Sequence, residues 1–407
     1  MKEKGEEKQK QGRGLSWQTL KENPVYQLML LPVSMVCVLG LLVLYGQFKP
    51  EEAAAQPLPE VTLAEDYETK EVPAAQPFRL DKGQLIPGVS YRGNTLRKYV
   101  TAADLHYGFM VLVNYRWVLP QDYEPRDMVV ANDRIPAENE ADFGAGKAGM
   151  KINATVLEQV QLMAEDAYEK DGVKGFLLGS TFRDFNYQGI LYRNKLNYYK
   201  GLGYKGTEAE EKAAFWVARP YTSEHHTGLA IDIPSRSHNN LNGAYGLTEN
   251  GLWLKENAWK YGFVVRYTEE KSDITQVGYE PWHIRYVGKP HSEILREKDW
   301  VLEEYVDYIR REGGLTYRCL DGSLWQVEYQ KPAEEGYVLL PQIEGVSLSG
   351  DNIDGFIVTT PLSSVAMDED PAIRLILQEE GKPDPGDGSR ALDEDPAQDL
   401  SQQEIQG

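Results

Sequence analysis

The sequence predicts an α+β fold: an antiparallel sheet with flanking helices, preceded by a single N-terminal transmembrane helix and followed by a small C-terminal β appendage. Apolar residues recur at helical spacing in residues 155–170, and apolar and polar residues alternate in 229–233 and 282–287, as they do in strands. Because no regular βαβ repeat joins these segments, an antiparallel sheet is favoured. At 407 residues, the chain is too long for one ordinary domain.

The first predicted element is a stretch from Val25 to Phe48 without charged side chains, which has roughly the twenty residues needed to cross a bilayer. We interpret residues 25–48 as an uncleaved transmembrane helix, and a cleaved signal peptide is the alternative. Six basic residues precede this span, and between its end and Lys70 the only basic residue is Lys49. The positive-inside rule then places residues 1–24 in the cytoplasm and the folded part outside the cell membrane. Residues 49–85, rich in Ala, Pro and Glu, are predicted to form an extracellular stalk.

The main folded domain is predicted over residues 86–298, with an extended entry segment at Leu112–Asn114. A helix is expected at Thr155–Lys170, and a short strand at Gly175–Ser180 follows it. Thr207-Glu208-Ala209-Glu210 has the capping-box pattern that opens a helix. Further elements are a helix at Leu252–Tyr261, ended by Gly262, and strands at Leu229–Ile233, Phe263–Tyr267 and Trp282–Val287.

Residues 299–362 are predicted to add a helix at Trp300–Arg311 and short strands between Leu315 and Thr360. Residues 363–407 are predicted to be an acidic, disordered tail. From Asp368 to Gly407 there are twelve Asp or Glu and three Lys or Arg, which contributes −9 to the net charge of −20. A chain this acidic repels polyanions, so nucleic acid is excluded as a partner; no pattern identifies a protein partner.

The two cysteines, Cys37 and Cys319, fall on opposite sides of the predicted membrane boundary, so no disulfide and no cysteine-based metal site is expected. Cys319 alone lies in a β-like stretch, where packing is a more common role than nucleophilic catalysis.

Two short segments carry the chemistry: Ser223-Glu-His-His-Thr-Gly-Leu-Ala-Ile-Asp232 and Glu280-Pro-Trp-His283. Together they supply two imidazoles and one carboxylate as ligands and a second carboxylate to take a proton from water, the arrangement of catalytic rather than closed structural zinc sites. Asp232 lies between Ile231 and Ile233 in an alternating strand, so it faces a cleft if they face the core. Each segment alone is a weak signal, but both in one chain favour a metallohydrolase.

A third segment, Ser180 to Gln188, follows a predicted strand and contains Arg183. An arginine at a strand end can hold a carboxylate through two parallel hydrogen bonds. Without the other two segments, a surface ion pair is the better interpretation of this residue.

These motifs, Ser-x-x-Arg-x-x-x-x-Gln, Ser-x-His-x-x-Gly-x-Ala-x-Asp and Glu-Pro-Trp-His-x-Arg-Tyr-Val-Gly, resemble those of the VanY-type zinc D-alanyl-D-alanine carboxypeptidases of the LAS metallopeptidase group. The resemblance covers Leu112 to Val287. It implies that His225, Asp232 and His283 bind Zn²⁺ and that Glu280 is the general base and then the general acid. It also implies that Arg183 binds the terminal carboxylate or polarises the scissile carbonyl, assisted by Gln188 and Ser223.

The chain departs from the family pattern at Thr181-Phe182, Tyr221 and His226, and it has an unusually long segment at Asn194–Lys212. His226 is a possible spare ligand, but neighbours on an extended segment face opposite ways, so His225 is preferred. His106, His238 and His291 are expected to be ordinary polar residues.

The resemblance implies an exported enzyme that removes the C-terminal D-alanine from peptidoglycan stem peptides. An L,D-carboxypeptidase acting on tetrapeptide stems fits the same motifs, and a catalytically inactive wall-binding protein is a non-enzymatic alternative, which the intact Glu280 argues against. A penicillin-sensitive serine carboxypeptidase is disfavoured because the chain contains no Ser-x-x-Lys.

Overall fold

The computed structural model describes residues 82–88 and 94–362. The predicted cytoplasmic segment, the span at 25–48, the acidic tail at 363–407 and all but the last residues of the predicted stalk lie outside this part. No helix among the described residues combines the length and the apolar composition needed to cross a bilayer.

The fold is a mixture of helices and mainly antiparallel sheets, in agreement with the predicted class. The helices are α1 Ala154–Asp171, α2 Phe185–Gly201, α3 Gly206–Ala214, α4 Glu249–Asn257, α5 Ser272–Thr275, α6 His291–Lys298 and α7 Leu302–Glu312. The strands are β1 Leu85–Pro87, β2 Thr95–Tyr99, β3 Met128–Val130, β4 Gly144–Ala145, β5 Lys151–Asn153, β6 Leu177–Leu178, β7 Ala230–Asp232, β8 Phe263–Tyr267, β9 Glu280–Tyr286, β10 Gly314–Arg318, β11 Leu324–Gln330, β12 Tyr337–Pro341, β13 Ser347–Gly350 and β14 Phe356–Pro361.

Helix α1 matches the helix predicted from the apolar pattern. The side chain of Asn153 accepts hydrogen bonds from the backbone N–H groups of Thr155 and Val156, which begins the helix, and Gly172 ends it in the left-handed conformation. The predicted stripe, which includes Val156, is buried in the main core. This helix therefore supports the sheet that carries the site.

The central sheet has the order β7-β9-β8, and both strand pairs are antiparallel. In the β7–β9 register, Ile231 lies opposite Ile284, and Asp232 lies opposite His283. Directly opposite residues share one face of a sheet, so the isoleucines enter the core together while Asp232 and His283 face the cleft. The predicted orientation of Asp232 is confirmed by this register.

Arg183 and its neighbours are brought to this sheet by an isolated bridge between Ser180 and Asp232. The backbone N–H of Asp232 donates to the carbonyl of Ser180 at 2.8 Å, and the N–H of Gly179 donates to the carbonyl of Asp232 at 2.8 Å. The third sequence segment is thus fixed beside the first.

Four C-terminal strands and the N-terminal strand β1 form a five-stranded antiparallel sheet of order β1-β10-β11-β14-β13. In a separate two-stranded sheet, β2 pairs with β12. The expected boundary at residue 86 therefore falls inside a strand of the C-terminal sheet. Residues before and after residue 298 also share one buried cluster, made of Met110, Leu112, Val287, Ile294, Leu295, Leu302, Tyr305, Val306, Ile309, Leu315, Tyr317, Cys319, Val327 and Ile357. The predicted β appendage is packed against the preceding domain through this cluster, and Cys319 is part of that packing.

Three helices differ from the prediction. The helix predicted to open at Thr207-Glu208-Ala209-Glu210 is present as α3, but its N-cap is Lys205 without a side-chain hydrogen bond, so the predicted capping box is wrong. Helix α2 was not predicted; it begins at the N-cap Asp184, whose side chain accepts from the N–H of Tyr187. The helix expected at Leu252–Tyr261 is α4 followed by a 3₁₀ turn at Ala258–Tyr261, and it ends at Gly262 as predicted.

Candidate metal centre and active-site cleft

The structure brings the three predicted ligands together. His225 Nε2 lies 3.4 Å from Asp232 Oδ1, and His283 Nδ1 lies 3.1 Å from the same oxygen. One ligand atom from each residue lies within 4.8 Å of the others, and all three residues are buried. No second group of this kind occurs in residues 82–88 and 94–362.

His225 is placed by a 3₁₀ turn, Glu224–Thr227, which ends at Gly228 with a φ of 73°. A Cβ at Gly228 would lie 2.7 Å from Met128 Sδ, so both the backbone conformation and the close approach require glycine. The turn then leads directly into β7 and Asp232, which explains how a loop and a strand converge on one point.

The donor set fits a divalent metal ion such as zinc. His225 Nδ1 lies 2.6 Å from the carbonyl oxygen of Thr181 and donates to it, which leaves the lone pair on Nε2. Nε2 is buried and has no hydrogen-bond partner among the described residues. Burial, together with Arg183, lowers the pKa of His225 to about 4, so the ring is neutral as a metal ligand must be.

His283 and Asp232 show the same preference for a cation. Burial alone would lower the pKa of His283, but hydrogen bonds to Asp232 and Glu224 raise it to about 9. Burial also opposes charge on Asp232, yet His225 and Arg183 hold the pKa of this carboxyl well below its usual range. Binding of a metal ion by these residues would therefore displace a proton from His283.

Glu280, the predicted base, begins β9 beside the ligands. Its Oε2 lies 3.8 Å from His283 Nδ1, too far for a hydrogen bond. Burial raises the pKa of Glu280 to about 7, despite the opposing influence of His283. A carboxyl group with a pKa near neutrality can both accept and return a proton at physiological pH.

Arg183 is held by three hydrogen bonds at the cleft. It donates from Nε to Ser180 Oγ at 2.9 Å, from Nη1 to Gln188 Oε1 at 3.0 Å and from Nη2 to Asp232 Oδ2 at 2.7 Å. A guanidinium has five N–H groups, so two remain for other partners. The ion pair considered as the alternative is not on the surface, because the acidic partner, Asp232, is buried.

Gln188 and Ser223, which the resemblance implied to assist Arg183, both line the cleft. The side chain of Gln188 accepts from Arg183 and donates from Nε2 to the carbonyl of Ala218 at 2.7 Å. Both of its polar atoms are therefore engaged within the protein, and its contribution is to orient Arg183. Ser223 is buried beside His225.

Glu224 is a functional residue that the sequence analysis did not identify. This carboxylate is fully buried, and its Oε2 lies 3.4 Å from His283 Nε2. Its Oε1 accepts from Arg266 Nε at 2.8 Å and from Arg285 Nη1 at 3.0 Å. Burial opposes the charge, but these two arginines hold the pKa of Glu224 well below its usual range.

The contacts of Glu224 leave His283 Nδ1 directed towards Asp232 and fix the orientation of the ring. Arg266 continues the network, donating from Nη2 to Glu303 Oε1 in α7 at 2.7 Å. Helix α7 belongs to the C-terminal residues, so the network connects the extension to a ligand.

His226, considered as a spare ligand, lies outside the group formed by His225, Asp232 and His283. Its Nδ1 donates to the carbonyl of Arg183 at 2.6 Å, and its Nε2 accepts from the N–H of Tyr221 at 3.2 Å. Tyr221 has a positive φ of 70°, and the ring of Phe185 packs on both residues, with centroid distances of 4.2 and 4.4 Å. Tyr221 and His226, two positions at which the chain departs from the family pattern, thus contact each other.

His291, expected to be an ordinary polar residue, is buried between Tyr305 and Thr359, with hydrogen bonds of 2.9 Å to each.

All seven predicted site residues line one cleft of about 940 Å³. Its other walls come from α2, from Trp216 to Ala218, and from the loop at Leu241–Gly243. The volume is in the range of small-molecule and peptide sites.

Comparisons with known proteins agree with this site. The sequence profile of the VanY family, D-alanyl-D-alanine carboxypeptidase, matches residues 149–289. A D-alanyl-D-alanine carboxypeptidase of Enterococcus faecium is 34% identical over 266 residues, which cover 65% of this chain and 79% of the relative. One from Enterococcus faecalis is 34% identical over 181 residues, which cover 44% of this chain and 65% of the relative.

Among solved structures, the vancomycin resistance D,D-dipeptidase VanXYg, in complex with a D-Ala-D-Ala phosphinate analogue, has a TM-score of 0.51 and 26% identity. The match covers 66% of this chain and 99% of that protein. The E. faecium relative is 34% identical and matched over 79% of its length, and the family profile covers the predicted ligands, the predicted base Glu280 and Arg183. This chain therefore belongs to the VanY family of D-alanyl-D-alanine carboxypeptidases.

Proposed function

We propose that this protein is a zinc-dependent D-alanyl-D-alanine carboxypeptidase that removes the C-terminal D-alanine from peptidoglycan stem peptides. The observation that carries the proposal is the buried group His225, Asp232 and His283, with Glu280 beside it and Arg183 bound to Asp232. The relatives named D-alanyl-D-alanine carboxypeptidase support the substrate class.

Zinc bound by these three residues would polarise the scissile carbonyl and lower the pKa of a coordinated water. Glu280 takes the proton from the attacking water and hands it to the leaving amine of D-alanine, which its pKa of about 7 allows. The cleft is lined by the buried side chains of Trp282 and Tyr267, which limit the access of bulk water.

Arg183 is assigned the recognition of a substrate oxygen, either of the terminal carboxylate or of the scissile carbonyl. Its bonds to Ser180, Gln188 and Asp232 fix the plane of the guanidinium before substrate arrives. A donor that is already oriented needs no rearrangement as charge develops in the transition state.

The central test is Glu280→Gln in the purified protein. We expect this variant to retain one zinc per chain, because Glu280 is not a ligand, and to lose turnover of D-Ala-D-Ala peptides by about 10²- to 10⁴-fold. Metal analysis and release of D-alanine are the two measurements, with His225→Ala as the control that loses both zinc and activity. Full activity in Glu280→Gln would contradict the assignment of the base.

Substrate choice is decided by offering pentapeptide and tetrapeptide muropeptides side by side. Release of D-alanine from the pentapeptide supports the proposed D,D-specificity. Cleavage of the tetrapeptide alone would make the protein an L,D-carboxypeptidase, and one bound zinc without hydrolysis of either would indicate a wall-binding protein.

The proposed site of action is the outer face of the cell membrane, with the protein anchored once through residues 25–48. The uncharged stretch and the basic residues before it support this orientation. Protease added to intact spheroplasts should remove the catalytic domain and leave the N-terminal residues protected; protection of the catalytic domain would reverse the orientation.

A further inference from the structure

The active-site cleft adjoins a second cavity of about 690 Å³. The two cavities share the side chains of Tyr199, Trp216, Ala218, Tyr267 and Val277 in their walls. Trp216 therefore lies on the boundary between the cleft that holds the metal centre and a space to which no role has yet been assigned.

Trp216 is a fixed feature of this boundary. Its ring packs edge-on against Phe215, with centroids 5.4 Å apart and planes at 89°. It also covers Gly278, where a Cβ would lie 2.8 Å from the indole, and the N–H of Gly278 donates to the carbonyl of Phe215 at 2.9 Å. Although held in this way, the tryptophan is 40% exposed. An exposed aromatic ring with so little freedom loses little entropy when a ligand packs on it.

A carboxypeptidase has only one residue on the C-terminal side of the bond it breaks. The space needed for the leaving D-alanine is small, and everything else in the substrate extends in the other direction. Substrate atoms that reach a second cavity of this size beside the cleft would therefore belong to the part upstream of the scissile bond. In a stem peptide that part is the remaining peptide and the amino sugar to which it is attached.

We propose that this second cavity binds the saccharide that carries the stem peptide, an inference that rests on the proposed function. Aromatic rings line its wall, among them those of Tyr115, Tyr199, Phe215 and Trp216. Tyr115 is 56% exposed. Thr207 and Lys212 add polar groups to the same wall. A pyranose ring has apolar C–H faces that stack on aromatic rings and hydroxyl and amide groups that form hydrogen bonds, so it matches both kinds of surface.

The construction of the wall favours a saccharide over the peptide. Extended peptides are commonly held by main-chain hydrogen bonds to a strand edge. Here most of the wall comes from α2, α3, α5 and loops, with Tyr267 at the end of β8 as its one strand residue, and it offers mainly side chains. The two basic groups in the wall lie over aromatic rings, Lys212 Nζ 4.6 Å from the ring centre of Tyr204 and Arg219 Cζ 5.6 Å from that of Tyr192.

Part of this wall comes from a segment that departs from the family pattern. Tyr199 and Thr207 lie in the segment Asn194–Lys212, whose unusual length was noted in the sequence, and this segment folds as the end of α2 and most of α3. The extra residues thus build one side of the cavity, which gives them a function in substrate recognition.

Tyr115→Ala is the decisive variant, because Tyr115 lines the second cavity and is not part of the cleft wall. It is tested with two substrates that share one pentapeptide, the free peptide and the peptide attached to the N-acetylglucosaminyl-N-acetylmuramyl disaccharide. We expect KM for the disaccharide substrate to rise about fivefold, the effect of losing one aromatic contact. Turnover of the free peptide should not change. Trp216→Ala should show a larger rise for the disaccharide substrate.

The matched control is Tyr99→Ala, another exposed tyrosine, on β2, which lines neither cavity. It should leave both substrates unaffected, and thermal unfolding verifies that all three variants are folded. The proposal is overturned if Tyr115→Ala leaves KM for the disaccharide substrate unchanged, or if it changes both substrates equally. Failure of the unsubstituted protein to cleave either substrate would refute the proposed function instead.

Discussion

At the scale of single residues, His283 of the candidate metal centre contacts a carboxylate that lies outside the group of three. Glu224 contacts His283 Nε2 with one oxygen and two buried arginines with the other. Such outer contacts orient a metal-binding ring and select the nitrogen that binds. The charge of Glu224 is tolerable at 0% exposure only because Arg266 and Arg285 are both there to balance it.

Because burial raises the pKa of Glu280, we expect this residue to make the free energy of unfolding of the metal-free protein depend on pH. Its pKa is raised from 4.5 to about 7, so the folded protein keeps this proton over a range in which the unfolded chain has lost it. The free energy of unfolding contributed by this group therefore falls as pH rises from about 4.5 to about 7, by on the order of 3 kcal/mol.

The Glu280→Gln variant should not show this decrease in the free energy of unfolding, because an amide does not ionise. Chelator-treated Glu280→Gln should then be more stable than the chelator-treated wild type above pH 7, and the two should converge near pH 4. Denaturant unfolding across this range measures the difference. A constant difference between the two proteins at every pH would show that Glu280 has an ordinary pKa.

At the scale of elements, the sequence predicts those parts whose patterns are local. Strand β7 alternates core and cleft residues, and α1 has a continuous buried stripe, so both were predicted close to their observed bounds. Helix α2 buries only Gln188 and Gly189, so it has no apolar stripe to detect. Its only clear signal is Asp184 at the N-cap.

The site residues, too, could be predicted only where their pattern is local in the sequence. The ligands and Glu280 lie in short motifs, so they were predicted by number, and the structure places them together. Glu224 was missed although it stands next to His225, because its partners Arg266 and Arg285 are 42 and 61 residues away. No pattern along the chain shows which distant arginines will neutralise a buried carboxylate.

Helix α7 should influence the metal centre through Glu303. Its Oε1 accepts from Arg266 Nη2 and from Asn114 Nδ2, at 2.7 and 3.0 Å, and Arg266 in turn binds Glu224. Glu303→Gln removes the negative charge that helps to hold Arg266, so we expect zinc affinity to fall by about tenfold. Competition with a chromogenic chelator measures this affinity.

The neighbouring residue provides a control on the same helix. Glu304 binds Lys271 at 3.0 Å near the surface, and its carboxylate accepts from the N–H of Val301 at the start of α7. Glutamine preserves that cap, and a partly exposed pair that is not connected to the ligands should not affect the metal, so Glu304→Gln should bind zinc as the wild type does. Equal zinc affinities in the two variants would show that Glu303 supports the fold without acting on the metal site.

At the scale of the whole molecule, the catalytic and C-terminal parts share one buried cluster and one sheet. Strand β1 precedes the catalytic residues in sequence but pairs with β10 after them. Backbone hydrogen bonds also join the two parts; for example, the N–H of Leu112 donates to the carbonyl of Asp351 at 3.2 Å. The extension thus completes the core beneath the site, which explains how Glu303 reaches Arg266.

A fragment of residues 86–298, the domain expected from the sequence, should therefore fail to fold. Ending the chain at 298 uncovers Met110, Leu112, Ile294 and Leu295, each of which is at most 3% exposed. Each exposed side chain costs about 1.5 to 3 kcal/mol, and together they approach the whole stability of an ordinary domain, about 5 to 15 kcal/mol. The fragment also lacks Glu303, so Arg266 loses a partner. Residues 82–362, which keep both sheets, are the control and should unfold cooperatively and bind zinc. Cooperative unfolding of the 86–298 fragment with one bound zinc, followed by circular dichroism and metal analysis, would show that the extension is an independent addition.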